Sequence, residues 1–276
     1  MHAAESQRPP PGALVVDHVS HFVADLEAAA GVFEQLGFRV TPLSVQHTQE
    51  GPVGASNRCV MLEEGYIELL SPTHDTPAAN RMRALMAREA ARVQSGIHLV
   101  CFGTPDAEGE HARLAAHGFE PQALVSLERE VEDGLARFKV VRPAPAAMPE
   151  GRIQFVEQLT PQLIWRDADV NRYGLREVFV AADDLAGTAA RWARFAGLLP
   201  RPHAGTVRLE SERGAIVFGP RPAGMAAPGI VGYSLACRHP QALAARCSTA
   251  GIAVRRVAGR HVARLPEALG GYLVFG

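Results

Sequence analysis

The sequence predicts an α+β fold of four repeated modules, each a strand, a helix and then three strands. Three observations carry that prediction. An apolar, β-branched run leading into an amphipathic helix that ends at a glycine recurs four times along the 276 residues. Short strand-like runs bounded by turn residues follow the helices. Each module is too small to bury its own sheet face, so the modules are expected to pair into two domains.

In the first module Val15 to Val23 reads as a strand, and Asp25 caps a helix whose apolar stripe is Leu26, Ala29, Ala30, Phe33 and Leu36. Gly37 stops it, and Phe38-Arg39-Val40 reads as the next strand. A polar, Gly-containing loop follows, then strands Arg58 to Leu62 and Tyr66 to Leu70 around the turn Glu63-Glu64-Gly65. The second module has strand Ile97 to Phe102, helix Ala107 to His117 with Gly118, and strands Leu124-Val125, Ala136 to Val141 and Ile153 to Leu159. The third has strand Leu175 to Ala181, helix Asp184 to Phe195 with Gly197, and strands Val207 to Glu210 and Ala215 to Gly219. The fourth has strand Val231 to Cys237, helix Pro240 to Thr249 with Gly251, and strands ending in Tyr272 to Phe275. Thr76 to Gln94 reads as an inserted helical stretch whose arginines, Arg81, Arg83, Arg88 and Arg92, form a solvated face. The polar link Pro161 to Arg172 divides domains expected at 13–165 and 172–276.

Composition narrows the function. Lys plus Arg is 28 against 29 Asp plus Glu, a net charge of −1, which argues against nucleic acid or an anionic membrane as partner. No apolar run reaches the ~18 residues of a membrane span. The Pro-rich start lacks a secretory core and reads as a disordered leader, so a cytoplasmic protein is expected. Cys59, Cys101, Cys237 and Cys247 show no CxxC spacing and read as reduced, packed thiols.

Histidines and glutamates recur at matched places. His18 and His98 lie in the opening strands of the first two modules; Glu68 and Glu157 lie in their last strands, which end in Ser-Pro and Thr-Pro. A carboxylate in an apolar strand must face solvent, pair with a cation or bind a metal. Two imidazoles and two carboxylates suit one divalent ion, with zinc, nickel, cobalt, manganese or iron all open. His47, Asn57 and Arg58 flank the Gly-containing loop and are candidates to contact substrate, Arg58 through its planar fork. His21 lies three residues after His18, on the opposite strand face, and reads as a surface or packed histidine. Trp165 and Trp192 read as packing anchors.

These residues resemble the vicinal oxygen chelate superfamily. Asp17-His18 with Asp25-Leu26, and Asn57-Arg58 with Tyr66-Ile67-Glu68-Leu69-Leu70, resemble its glyoxalase-like branch. The resemblance implies two glyoxalase/bleomycin-resistance/dioxygenase-like domains, the first holding metal through His18, Glu68, His98 and Glu157. It further implies a lyase, isomerase or epimerase acting on a small oxygenated metabolite through a metal-chelated enediolate, with Glu157 or Glu68 moving the proton. The second half departs from the pattern: Glu177 stands in the first histidine's place and the last strands offer no ligands. It is expected to be a metal-free scaffold or homodimer surface, with Glu177 solvent-facing or locally paired. Two alternatives are an extradiol-type dioxygenase with iron on His18, His98 and Glu157, and a non-catalytic small-molecule binding or resistance protein.

Overall fold

Helix boundaries follow the local chemistry of the chain. Asp25 accepts hydrogen bonds from the Glu27 and Ala28 amides and opens α1 (Leu26–Gln35); Asp106 and Asp184 cap α3 (Ala107–Ala116) and α4 (Leu185–Ala196) through the Gly109 and Gly187 amides. Gly197 ends α4 in the left-handed conformation, with φ of 66°. Pro240 begins α5 (Pro240–Thr249), where a missing N–H costs nothing. These elements belong to a computed structural model that describes residues 4, 7–48, 50–87, 95–223 and 225–276.

The element order is four times strand, helix, three strands. The first module contains β1 (Val15–Phe22), α1, β2 (Ser44–Thr48), β3 (Gly51–Glu64) and β4 (Tyr66–Pro72). The inserted helix α2 (Pro77–Ala87) follows; Arg88 and Arg92 lie outside the described residues. The second module contains β5 (Gly96–Gly103), α3, β6 (Val125–Val131), β7 (Gly134–Val141) and β8 (Arg152–Gln158). The third is β9 (Asn171–Ala182), α4, β10 (Pro200–His203), β11 (Thr206–Glu210) and β12 (Ala215–Pro220). The fourth is β13 (Gly229–Cys237), α5, β14 (Val254–Val257), β15 (Arg260–Arg264) and β16 (Tyr272–Phe275). Among the described residues no helix is long and apolar enough to cross a membrane.

Modules pair through their opening strands, β1 against β5 and β9 against β13, both antiparallel. In the first half the order β4-β1-β5-β8-β7-β6-β2-β3 returns to β4, so the sheet closes on itself as a ring. The second half stays open, from β14 at one edge to β10 at the other. The 14-residue β3 also pairs with β9 and ties the two sheets together.

Three expectations are corrected. Phe38 to Val40 forms no strand. The segment read as a loop before Arg58 is instead the hairpin of β2 and β3, stabilised because β2 also pairs with β6 and completes the ring. The leader is not wholly free: Gln7 is buried, accepts the Gly65 amide and donates to the Glu63 carbonyl.

The largest core lies outside the ring, where the helices pack on both sheets; it includes Phe33, Phe102, Phe155, Trp192, Phe218 and Tyr233. Inside the ring, one end is filled by Phe22, Leu70 and Leu99 beneath Met82 and Met86 of α2. The other end holds Met61 and Tyr66 against Ile164 and Trp165 of the inter-half link. Alternation decides which residues face in: on β4, Tyr66, Glu68 and Leu70 line the ring while Ile67 and Leu69 join the outer core.

His21 faces outward and is fully buried between the halves. Its Nδ1–H donates to the Leu269 carbonyl at 2.9 Å, so Nε2 accepts from the Tyr233 hydroxyl at 3.1 Å. Burial lowers its pKa from 6.5 to about 4. Below pH 6.5 the unfolded chain takes a proton that the folded chain refuses, so stability is full above 6.5 and falls as pH drops toward 4. The shift corresponds to roughly 3 kcal/mol. In urea titrations, wild type is expected to lose about that much between pH 6.5 and 4 beyond the loss of His21→Gln. Equal losses in the two proteins would refute the assignment.

Candidate functional site

A narrow cavity of about 40 Å³ lies within the ring, lined by His18, Glu68, Arg129, Arg142, Arg152 and Gln154 among others. Glu68 is its central carboxylate, 4% exposed. Its Oε1 accepts from Asn57 (2.7 Å) and Gln46 (3.1 Å), and its Oε2 from Ser20 (2.5 Å). Three neutral donors on three strands therefore fix the carboxylate, and one lone pair of Oε2 stays open to the cavity. His18 Nε2 stands 3.9 Å from that oxygen. Its Nδ1 lies 2.6 Å from Asp17 Oδ1, and its ring stacks on Tyr66 with centroids 4.2 Å apart. Burial opposes charge on His18, but Cys101 and the Asp17 carboxylate outweigh it and hold the pKa well above the ordinary value.

Opposite this pair stand three guanidinium groups. Arg129 on β6 is 8% exposed; it donates to Cys59 Sγ at 3.4 Å, and its Nε has no partner. Arg142, just after β7, donates to Gln154 Oε1 at 3.0 Å. Arg152 opens β8 and lies over the Phe22 ring, 5.1 Å from its centroid, and its guanidinium makes no hydrogen bond among the described residues. Among the described residues none of the three lies within ion-pairing distance of a carboxylate, and the second carboxylate at the cavity, Glu128, is already paired with Arg137. Burial and the charges of Arg142 and Arg81 push Arg152 down to about 9, so it remains a cation at neutral pH. Glu68 offsets part of this charge, but three cations around one cavity leave an excess that costs folding free energy and invites an anion.

The four expected metal ligands do not converge, because the second module is shifted in register from the alignment read in the sequence. Parallel pairing sets Tyr66 beside His18 and Glu68 beside Ser20 in the first module; it sets Arg152 beside Leu99 and Gln154 beside Cys101 in the second. Leu99 and Gln154 thus occupy the places of His18 and Glu68. A one-residue slip moves a side chain to the opposite face. Glu157 shares the outer face with Ile153 and Phe155; its Oε2 accepts the Ala107 amide at the start of α3, and it pairs in register with Lys139. His98 sits where the β1–β5 register is irregular, its ring 5.5 Å from Phe22 and outside the cavity lining. The iron triad of the dioxygenase alternative fails for the same reason.

Among the described residues no group of three or more His, Cys, Asp or Glu is placed to hold a metal ion. The donors present do not fit a four-ligand divalent centre: two remain, Glu68 is already triply hydrogen-bonded, and three guanidinium groups line the same cavity.

Of the substrate candidates, Asn57 faces inward and holds Glu68. Arg58 points outward, where it is bound to Glu27 and Glu34 of α1 and to the Thr41 carbonyl. His47 lies opposite Glu128 on the β2–β6 pairing and does not line the cavity. Sequence reading missed Gln46, Arg129, Arg142, Arg152 and Gln154. A signal existed for two of them: Arg152-Ile153-Gln154-Phe155 alternates polar and apolar, the mark of a strand with one face on a polar interior. In the second half Glu177 is locally paired, with Arg208 at 2.7 Å, Arg260 at 2.6 Å and Ser234 at 2.9 Å.

The fold is shared with solved proteins of low sequence identity. A hypothetical protein from Staphylococcus aureus superposes with a TM-score of 0.69 at 13% identity, over 95% of this chain and 99% of its own. A substituted 4-hydroxymandelate synthase from Streptomyces coelicolor gives 0.59 at 15%, over 95% and 92%. The Mn(II)-bound glyoxalase from Novosphingobium aromaticivorans gives 0.59 at 11%, over 95% and 81%. No curated protein sequence matches. The family model described as a glyoxalase-like domain matches residues 16–196, which takes in the closed ring, the link and the first strand and helix of the second half. With that match covering well over half of its length, the chain belongs to the glyoxalase-like domain family.

Proposed function

We propose that the protein is an enzyme that takes a small oxygenated metabolite bearing a carboxylate or phosphate into the ring of the first half, the second half serving as scaffold. One observation carries this reading: Arg129, Arg142 and Arg152 line a cavity whose carboxylates are Glu68, held by three neutral donors, and Glu128, paired with Arg137, so positive charge is in excess there. Guanidinium forks suit planar oxyanions. The chemistry that fits is proton abstraction beside a carbonyl. The C–H bond breaks, the proton passes to Glu68 Oε2, and the electron pair moves to the carbonyl oxygen, where the guanidinium groups hold the negative charge. Ser20, Gln46 and Asn57 keep Glu68 aimed, and His18, oriented by Asp17, is placed to bind the substrate oxygen.

The test is proton-to-deuteron exchange, followed by NMR, at the carbon next to the carbonyl across a panel of 2-oxo and 2-hydroxy acids. Wild type is expected to exchange at least one member, and Glu68→Gln to slow that exchange by about 100-fold or more while still gaining melting temperature with the ligand. Anion binding with no exchange on any member would replace the enzyme with a binding protein.

A second reading keeps a divalent ion on His18 and Glu68. It is favoured by their 3.9 Å separation and by the Asp17 carboxylate behind His18, an arrangement common behind metal-bound imidazoles. Metal analysis of the purified protein separates the two: one equivalent per chain, lost in both His18→Ala and Glu68→Ala, would establish it.

A further inference from the structure

Beside the ring lies a second cavity of about 340 Å³, between α2 and the chain that links β7 to β8. Its wall is apolar on one side, with Leu85, Pro143, Pro145, Met148 and Ile153, and cationic on the other, with Arg81, Arg142 and Arg152. Among the described residues no carboxylate lines it. Arg142 and Arg152 line both this cavity and the one inside the ring, so the two spaces meet at that pair. Both ends of the ring are filled, by Met82 and Met86 on one side and Ile164 and Trp165 on the other. The arginine pair is thus a side opening from a roomy apolar chamber into a small polar one.

We propose that the side cavity binds the apolar body of an amphipathic anion whose head group is held between Arg142 and Arg152. This deepens the reading of the ring as an anion-taking site and rests on it. The ring cavity, at about 40 Å³, admits only the small polar end of a substrate; the side cavity, at about 340 Å³, has room for the rest. Arg81, on the exposed face of α2, touches the side cavity alone and adds the third positive charge at its mouth. A free phosphate or a short acid would satisfy the arginines but leave the cavity beside Leu85 and Pro145 unfilled. The substrate class is accordingly a carboxylate or phosphate monoester carrying a compact hydrocarbon portion.

The experiment is calorimetric titration of the full chain with straight-chain monocarboxylates from acetate to octanoate. Wild-type affinity is expected to rise about threefold per added methylene and to level off once the cavity is full. Ala84→Trp, which fills the cavity from α2, is expected to flatten that rise, and Arg81→Ala to weaken the longer acids several-fold. A flat series in wild type, with binding that still depends on Arg129, overturns the side cavity and leaves the ring intact. Absence of binding by every acid overturns the anion reading of the ring itself. A rise with chain length that survives Ala84→Trp places the hydrocarbon elsewhere and also overturns the proposal.

Discussion

Replacing Arg152 with methionine is expected to raise the melting temperature and, in the same molecule, to remove anion binding. Among the described residues the guanidinium makes no hydrogen bond or ion pair; it feels the charges of Arg142 and Arg81, which outweigh the attraction of Glu68. Its one favourable contact is the Phe22 ring, worth ~1 kcal/mol. Against that stand its desolvation and the repulsion of two like charges, so methionine, similar in length and free of charge, is expected to stabilise the fold by about 1–2 kcal/mol. Binding moves the other way. Loss of a charge-assisted contact worth ~1.5–3 kcal/mol weakens an anion at least tenfold. Thermal melts with and without phosphate check both signs together. Destabilisation without ligand would mean that the guanidinium is satisfied within the fold and is not waiting for a guest.

The second large effect is expected at the contact between the two halves. Trp192 of α4 is fully buried, packs edge-on against Phe218 with centroids 5.5 Å apart, and donates from Nε1 to Glu150 Oε2 at 3.0 Å. Glu150 belongs to the first half and is 6% exposed; Arg191 engages its other oxygen. Trp192→Ala leaves a cavity at a cost of ~3–5 kcal/mol and strips a buried carboxylate of one donor, adding ~1–2 kcal/mol. Against a typical stability of ~5–15 kcal/mol, that is a third or more. Trp192→Phe keeps most of the packing and is expected to lose only about the smaller amount. Urea midpoints at constant slope measure both; equal losses in the two variants would show that packing around the indole contributes little.

The modular order was legible because it is written in local chemistry. Asp25, Asp184, Gly197 and Pro240 act where they stand in the chain, so the opening strand and helix could be read in all four modules, whereas β2 and β10 were not read as strands. Ring closure was not legible, because β2 owes its existence to partners on both sides. Ser44–Thr48 is polar and unremarkable alone, and pairing with β6, some eighty residues away, makes it a strand. The candidate site was half legible for a related reason. His18 and Glu68 came from matching residue type at strand positions, and they are the two whose side chains line the ring cavity. Glu157 and His98 were chosen by matching residue type at the ends of strands, whereas Ile153, Phe155 and Glu157 belong to one face and Arg152, Gln154 and Val156 to the other. Residue type named plausible ligands, but only the pleat decides which side of the sheet a ligand is on. The arginines escaped notice because a guanidinium is ordinarily a surface group, and nothing local says that Arg129 turns inward.

The 14-residue β3 carries Asn57, which holds Glu68, near its middle and runs on to pair with β9. It is a tie-rod shared by both halves. A gene split at the polar link would therefore not release two finished products: the first would lose its seam partner along Leu62 to Glu64, and the second would bare the edge of β9 there. The seam is thus a permanent weld, through which the second half braces the strand that holds the carboxylate of the first.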